Sequence, residues 1–473
     1  MKNKKFIGIL GVSLMVCMLL AQFGCASKEI GKVKIEPMEP EESYAVSYDI
    51  IGGKDVMPVG GYYGPYSAAY SPDAQPLPNF RTDEYMKAIA DAGVNMIIHT
   101  SGDTSGSSGK KLLDLAAKYG VGVYVHDTSI LKMRTQESIS VAAINEKLSA
   151  YRNHSAFCGI YMVDEPGGLT YKYNVSGRVD DNMEDYIELT RIIKEEFDVD
   201  FYSNLIRIEA KSQEEAYEGY LKEYCESMHP TYMSFDLYLW EDGNTKSIYL
   251  FNTAMAREYA QKYKIPFWSY IQCGKDFEQK VDDDFVPGPH EGQFDWSINV
   301  SLAMGAQGIE YFTLFQPHYF SEVGEDGGYR FDVSGMIGAK GNKNQWYYFA
   351  QDISKQISAV DAVLMNSVNK GVLASGKEAR SDISDARGVM MEGTSWRELA
   401  DIEGNTLVGC FNYQGKTALY VVNYDHEYAQ DIKLKFHDKY NMQVTQDGET
   451  DYLNTSSLTL KMKAGDGALI VLQ

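Results

Sequence analysis

The stretch "GIYMVDEPGG", Gly159 to Gly168, decides how this chain is read. Apolar residues run straight into Asp164, Glu165 and Pro166, and two glycines follow. A nearly continuous apolar run fits a strand covered on both faces, as in a parallel sheet flanked by helices. Proline stops such a strand because it has no N–H for the ladder, and glycines free the loop beyond. Two adjacent carboxylates at the end of a buried strand then need a reason.

The same rhythm extends in both directions. Upstream, "DVMPVGGYYGPY" from Asp55, "VNMIIHT" and "VGVYVHDT" are β-rich runs; downstream come "VDFYSNLI", "YMSFDLYLW", "IPFWSYIQCG" and "QGIEYFTLFQP". Helical patterns lie between them. "TDEYMKAIADAG" opens on the capping residue Thr82 and closes at Gly93, and "SGKKLLDLAAKYG" stops at Gly120. Strands alternating with helices mean crossover connections and a parallel sheet. Eight such units over residues 51–368 predict an α/β fold, a (β/α)8 barrel, whose usual size is about 250 residues with longer variants. A doubly wound open sheet is the rival, but no Gly-rich phosphate loop follows the first strand. From about Asn369 apolar and polar residues alternate, broken by turn signals such as Tyr413-Gln414-Gly415. That texture predicts a small C-terminal antiparallel β-sandwich over residues 369–473.

The N-terminus reads as an export signal over residues 1–24. Lys2, Lys4 and Lys5 precede an uncharged apolar run, Phe6 to Leu20, short for a membrane span of about 20 residues. Small residues before Cys25 resemble a bacterial lipoprotein cleavage site, so Cys25 is expected to carry lipid and to anchor the chain on the outer face of a membrane; ordinary secretion is the alternative. Residues 25–50 form a polar tether. A formal net charge of −22 argues against nucleic acid and anionic membrane surfaces as partners, which leaves the lipid as the membrane contact. Cys158, Cys225, Cys273 and Cys410 are far apart and read as buried free thiols. No Cys/His cluster has metal-ligand spacing and HExxH is absent, so neither a metal nor a cofactor is expected.

In a barrel of this kind the loops at the C-terminal ends of the strands build the site. The strand tails supply Tyr62 and Tyr63, His99, His126 and Asp127, Asp164 and Glu165, Asn204, Asp236 with Tyr238 and Trp240, and Gln272. Hydroxyl-rich sugars suit this mixture, since amides and carboxylates match hydroxyls and flat aromatic rings match C–H faces. Neighbouring carboxylates repel and burial raises pKa, so one of the pair Asp164 and Glu165 can stay protonated near neutral pH and act as a general acid. Cleavage of a glycosidic bond needs such an acid and a second carboxyl across the bond.

The "FCGIYMVDEP" strand, the "GAQGIEYF" eighth strand and the closing "AGDGALIVL" resemble the clan A glycoside hydrolases. The resemblance covers most of residues 50–473 in organisation and short stretches in motif, and the "DEP" form is similar to a group of exported bacterial barrel proteins. It implies that Glu165 takes the acid/base position closing the fourth strand, with Asp164 where the clan usually has Asn. The clan's nucleophilic Glu closes the seventh strand; this sequence has Gln272 there. Glu291, in the loop after strand seven, and Asp236, on strand six, are the replacements, in that order, and Asp164 orients Glu165 or a sugar hydroxyl. Glu310, early in strand eight, is assigned a structural role. The resulting expectation is an exported glycoside hydrolase acting on an oligo- or polysaccharide. Its rival is a non-catalytic, surface carbohydrate-binding lipoprotein on a degenerate barrel.

Overall fold

The computed structural model describes residues 35–43, 55–67, 77–99, 104–136, 138–167, 183–241, 243–274, 279–280, 288–317, 321–323, 329–331, 334–386 and 388–473. Residues 1–24, expected to be an export signal, and Cys25 lie outside the described residues, as does most of the expected tether, 25–50. The chain divides into two units, Met1–Glu36 and Pro37–Gln473. The second holds every element below.

Eight strands close a barrel: β1 (Val59–Gly61), β2 (Met96–Ile97), β3 (Gly122–Val125), β4 (Phe157–Asp164), β5 (Phe201–Leu205), β6 (Met233–Phe235), β7 (Phe267–Gln272) and β8 (Ile309–Phe312). Every pairing is parallel, and β8 returns to β1 with Val59 opposite Ile309 and Gly61 opposite Tyr311. Gly61 is needed at that closure, because a Cβ there would lie 2.1 Å from the Leu314 side chain. Outer helices begin and end where local chemistry dictates. Thr82 accepts from the Tyr85 N–H to open Asp83–Asp91, and Thr245 accepts from the Ile248 N–H to open Lys246–Tyr263. Asp198, His229 and Lys264 end their helices in the left-handed conformation.

The barrel interior is unusually aromatic and polar. Branched aliphatic side chains usually dominate such an interior. Here Tyr124, Tyr202, Tyr232, Trp268 and Tyr270 are buried, and Tyr232 stacks on Trp268 at 3.8 Å. The Tyr202 hydroxyl meets the hydroxyls of Tyr270 (2.7 Å) and Ser234 (3.1 Å), and Ser234 donates to the Glu310 carboxylate.

After the helix Gln345–Met365, seven antiparallel strands form one sheet. Its long strand Gln430–Gln446 breaks register between Lys435 and Tyr440. One half of that strand pairs with Leu399–Glu403 and the other with Gly467–Leu472. The sheet therefore encloses its own apolar core, which includes Leu373, Val408, Leu419, Val421, Ile432 and Ile470. The alternate residues Leu407, Ala418, Tyr420, Val422 and Leu469 join the barrel's core instead. Strand alternation thus delivers an apolar residue to both sides, and Lys416–Asn423 is buried along all but its first residue. The helix Glu291–Ala303 is the barrel's side of this contact. Phe294 stacks on Tyr311 of the barrel at 5.7 Å, while the Trp296 indole N–H donates to the Tyr424 carbonyl at 2.9 Å.

Two features have no counterpart in the sequence pattern. The loops after β7 and β8 build a small antiparallel sheet from Gln279–Lys280, Tyr329–Phe331 and Ser321–Val323. A seven-residue helix, Lys377–Ile383, follows the first strand of the C-terminal sheet. Cys158, Cys225, Cys273 and Cys410 are free thiols, and all but the half-buried Cys158 are buried.

Candidate active site

β4 delivers Asp164 and Glu165 to the barrel's C-terminal rim. Glu165 has a φ of +43° while its N–H still donates to the Asn204 carbonyl at 2.9 Å, so the turn is made without leaving β5. Left-handed backbone costs a residue with a Cβ on the order of 1–2 kcal/mol. Among the described residues with this conformation, Asp198, His229 and Lys264 end helices, and Gln414 and Asp447 sit in hairpin turns. Tyr63 and Glu165 instead stand at the ends of barrel strands, where strain more often accompanies function.

The Glu165 side chain is 11% exposed and lies 3.6 Å from Nη1 of Arg207, two residues beyond β5. Asp236, one residue beyond β6, is 6% exposed. Its Oδ1 is buried with no hydrogen-bond partner, while Tyr238 bonds to the same carboxylate. Burial works against the charge on Arg207, but the Asp236 and Glu165 carboxylates outweigh it and raise its pKa. One guanidinium therefore feels the charge of two carboxylates, from the ends of β4 and β6.

Aromatic side chains wall this group. The Tyr62 and Tyr161 hydroxyls meet at 2.6 Å, and the Tyr62 ring stacks on His99 at 4.8 Å. Burial, with the His126 ring nearby, pushes the His99 pKa down to about 3, so this imidazole is neutral. After burial, the charge that most raises the Tyr62 phenol is Asp164, which also raises Tyr238; Asp164 thus faces the tails of β1 and β6. Tyr238 stacks on Phe312 at 4.9 Å. Asn204, 2% exposed, donates to Asp164 at 3.3 Å and accepts from Ser234 at 3.2 Å. At the end of β7, Gln272 accepts from the Trp240 N–H at 2.9 Å, and its Nε2 is buried without a partner. The Trp240 indole donates to Ser297 at 3.0 Å and packs against His426 of the sheet at 4.9 Å. Deeper in the barrel, burial lifts the Glu310 pKa to about 8, against the hydrogen bonds from Ser234 and Tyr202.

The structure brings Tyr62, Asp164, Glu165, Asn204, Asp236 and Tyr238 together, with His99 and His126 against Tyr161 and Tyr63 against His99. Two expected residues have other work. Asp127 caps the short helix Thr128–Leu131: Oδ1 accepts from the Ser129 and Ile130 N–H groups and the Ser129 hydroxyl, and Oδ2 from Tyr151 at 2.7 Å. With both oxygens engaged and 1% exposure, it has little left for a substrate. Glu291, expected to turn back over the mouth, is an exposed first-turn acid of Glu291–Ala303. It lines a cleft of about 390 Å³ with Asp295, Asp352, Lys355, Asp447 and Lys463, where helix dipole and lysines account for a carboxylate. Asp236, like Glu165, acts on Arg207 through its charge. Arg207 and Tyr161 were missed. A basic residue just past a strand tail, facing tails rich in acid, was the available signal for Arg207.

No protein-family model and no curated protein sequence matches the chain. Solved structures do match. A glycoside hydrolase family 5 protein from Bacteroides vulgatus ATCC 8482 is similar at 13% identity, over 88% of this chain and 89% of that one, with a TM-score of 0.51. A catalytic mutant of a family 42 β-galactosidase from G. stearothermophilus is similar at 9% identity, over 91% and 100%, with a TM-score of 0.51. A β-galactosidase from Bacillus circulans sp. alkalophilus is similar at 10% identity, over 89% and 99%, with a TM-score of 0.50. The chain shares the barrel fold of these glycoside hydrolases. At these identities the likeness is one of fold, and what this barrel does rests on its own residues.

Proposed function

We propose that the barrel mouth hydrolyses a glycosidic bond, with Glu165 as general acid and Asp236 as the second carboxylate. The observation that carries this reading is the Asp236–Arg207–Glu165 group at the ends of adjacent strand tails, with one Asp236 oxygen buried and unmatched. A carboxyl at Glu165 protonates the departing oxygen. Asp236 either attacks the anomeric carbon, giving a glycosyl ester that water hydrolyses with Glu165 as base, or takes the proton from a water that attacks directly. Tyr238, Phe312 and Trp240 offer flat faces to a sugar ring, and Gln272 Nε2 offers a free donor to a hydroxyl. The leader and Cys25 support a position outside the cell, where an oligo- or polysaccharide is met.

A second reading keeps the sugar and drops the chemistry. Gln272, an amide at the tail of the seventh strand, favours a carbohydrate-binding barrel without turnover. Release from a panel of aryl glycosides and polysaccharides, with Glu165→Gln and Asp236→Asn alongside, separates the two. Hydrolysis predicts at least about 10²-fold loss of turnover in each variant, the scale of general acid–base catalysis. Glycan binding by the wild-type chain with no release from any substrate would establish the second reading. The anomer released first tells retention from inversion, and so which role Asp236 plays.

A further inference from the structure

We propose that His290, His426 and Glu427 form a site for a divalent transition metal of the zinc type, fastening the loop after β7 to the C-terminal sheet. His290 precedes the helix Glu291–Ala303, and His426 and Glu427 lie between the strands Lys416–Asn423 and Gln430–Gln446. Sequence spacing gave no hint of the group; the docking of sheet on barrel makes it. Nε2 of His290 lies 3.0 Å, and Nε2 of His426 3.4 Å, from Oε1 of Glu427. One ligand atom from each residue falls within 4.8 Å of the others. A tetrahedral ion with bonds of about 2.0–2.1 Å holds its ligands roughly 3.3 Å apart. Two edges of the triangle are therefore already set, and the third closes by a small side-chain movement. Two imidazoles and one carboxylate suit zinc-type ions, with water in the fourth position.

The surrounding backbone presents these groups to one another. Gly292 lets the sheet loop approach, since a Cβ there would lie 2.3 Å from the His426 carbonyl oxygen. Asp425 Oδ1 accepts from the N–H groups of Glu427 (2.9 Å) and Tyr428 (3.0 Å) and fixes the loop. The His426 ring packs on Trp240, and its Nδ1 is buried with no hydrogen-bond partner.

The test titrates Zn²⁺ into the chelator-stripped full chain by calorimetry near neutral pH. The expected result is one equivalent bound, with a dissociation constant in the micromolar range or tighter, and a rise in the melting temperature that EDTA reverses. His290→Ala and His426→Ala should each weaken binding at least about tenfold, and Glu427→Gln likewise. His290 is exposed, so His290→Ala decides the matter if His426→Ala does not fold. No saturable binding by the wild-type chain, or binding unchanged in the foldable variants, overturns the proposal. Because the readout is metal binding, the result is independent of whether the barrel turns over a glycoside.

Discussion

The sheet and the barrel mouth differ in where their buried polar groups go unmatched: in the sheet the unmatched atoms are the Nδ1 atoms of His426 and His437, in the mouth they are carboxylate, amide and guanidinium atoms. In the sheet, Asn423 is buried and its side chain is fully used: Nδ2 donates to the carbonyls of Tyr428 (2.9 Å) and Lys463 (2.6 Å), and Oδ1 accepts from the Asp425 N–H (3.0 Å). The Thr406 hydroxyl donates to the Val422 carbonyl at 2.7 Å. In the barrel, Asp236 Oδ1, Gln272 Nε2, Arg207 Nε and Glu310 Oε1 are buried without partners among the described residues. A buried polar group left unmatched costs roughly 1–3 kcal/mol. A region built only to hold together has no reason to bear that cost repeatedly. A region that receives a polar ligand does, since the ligand completes the bonds. The difference supports placing sugar chemistry in the mouth and a structural task in the sheet.

The comparison breaks if the sheet contributes nothing to the barrel's stability. Trp296 is the test, because its indole is fully buried between the two and bonds to Tyr424. Trp296→Ala should cost about 3–5 kcal/mol, the range for deleting a buried large aromatic. Equilibrium denaturation should show the loss as a lower midpoint. A cost under about 1 kcal/mol would make the sheet a passive neighbour.

Glu310 sharpens the other half. Burial lifts its carboxyl from the ordinary value of 4.5 to about 8. Below about pH 4.5 it is protonated in both the folded and unfolded chain, and contributes no pH dependence. Between about 4.5 and 8 the unfolded chain releases the proton and the folded chain keeps it. Stability therefore falls as pH rises, by up to about 1.4 kcal/mol per pH unit, and levels off above about 8. Glu310→Gln removes this slope, so the variant should gain on the wild type between pH 5 and 9 by a few kcal/mol. Parallel stability curves for the two proteins would mean that the interior acid costs the barrel little.

The same contrast explains what could be read from the sequence. Hydrophobic burial is periodic, so "IPFWSYIQCG" gives β7 at Phe267–Gln272, and "TDEYMKAIADAG" gives a helix capped by Thr82. The strand tails that should face the mouth followed from the barrel alone. Directions taken by loop residues did not. Glu291 is near β7 in sequence, but a helix start carries it to the sheet side. Asp127 was legible, since Asp two residues before Ser129 is a capping pattern, and a strand-tail reading overrode it. Arg207 and the His290–His426–Glu427 group depend on contacts between distant segments, for which one sequence has no periodic signal.

The smallest expected effect concerns the scaffold that carries the β6 tail. Asp236, Tyr238 and Trp240 lie on the segment that ends at Thr245, where the helix Lys246–Tyr263 begins. Asn244 donates to the Tyr238 carbonyl at 2.8 Å, so the segment is already tied to itself. Thr245 adds a cap, accepting from the Ile248 N–H at 3.3 Å. Thr245→Ala should cost about 1 kcal/mol, and Thr245→Ser should recover most of it, because the cap needs only the hydroxyl oxygen. Turnover or glycan affinity, measured well below the melting temperature, should not change in either variant. If affinity falls in Thr245→Ala and returns in Thr245→Ser, the cap reaches the mouth through this segment. The line between a finished scaffold and an unfinished site would then run through the β6 loop, not along the boundary between barrel and sheet.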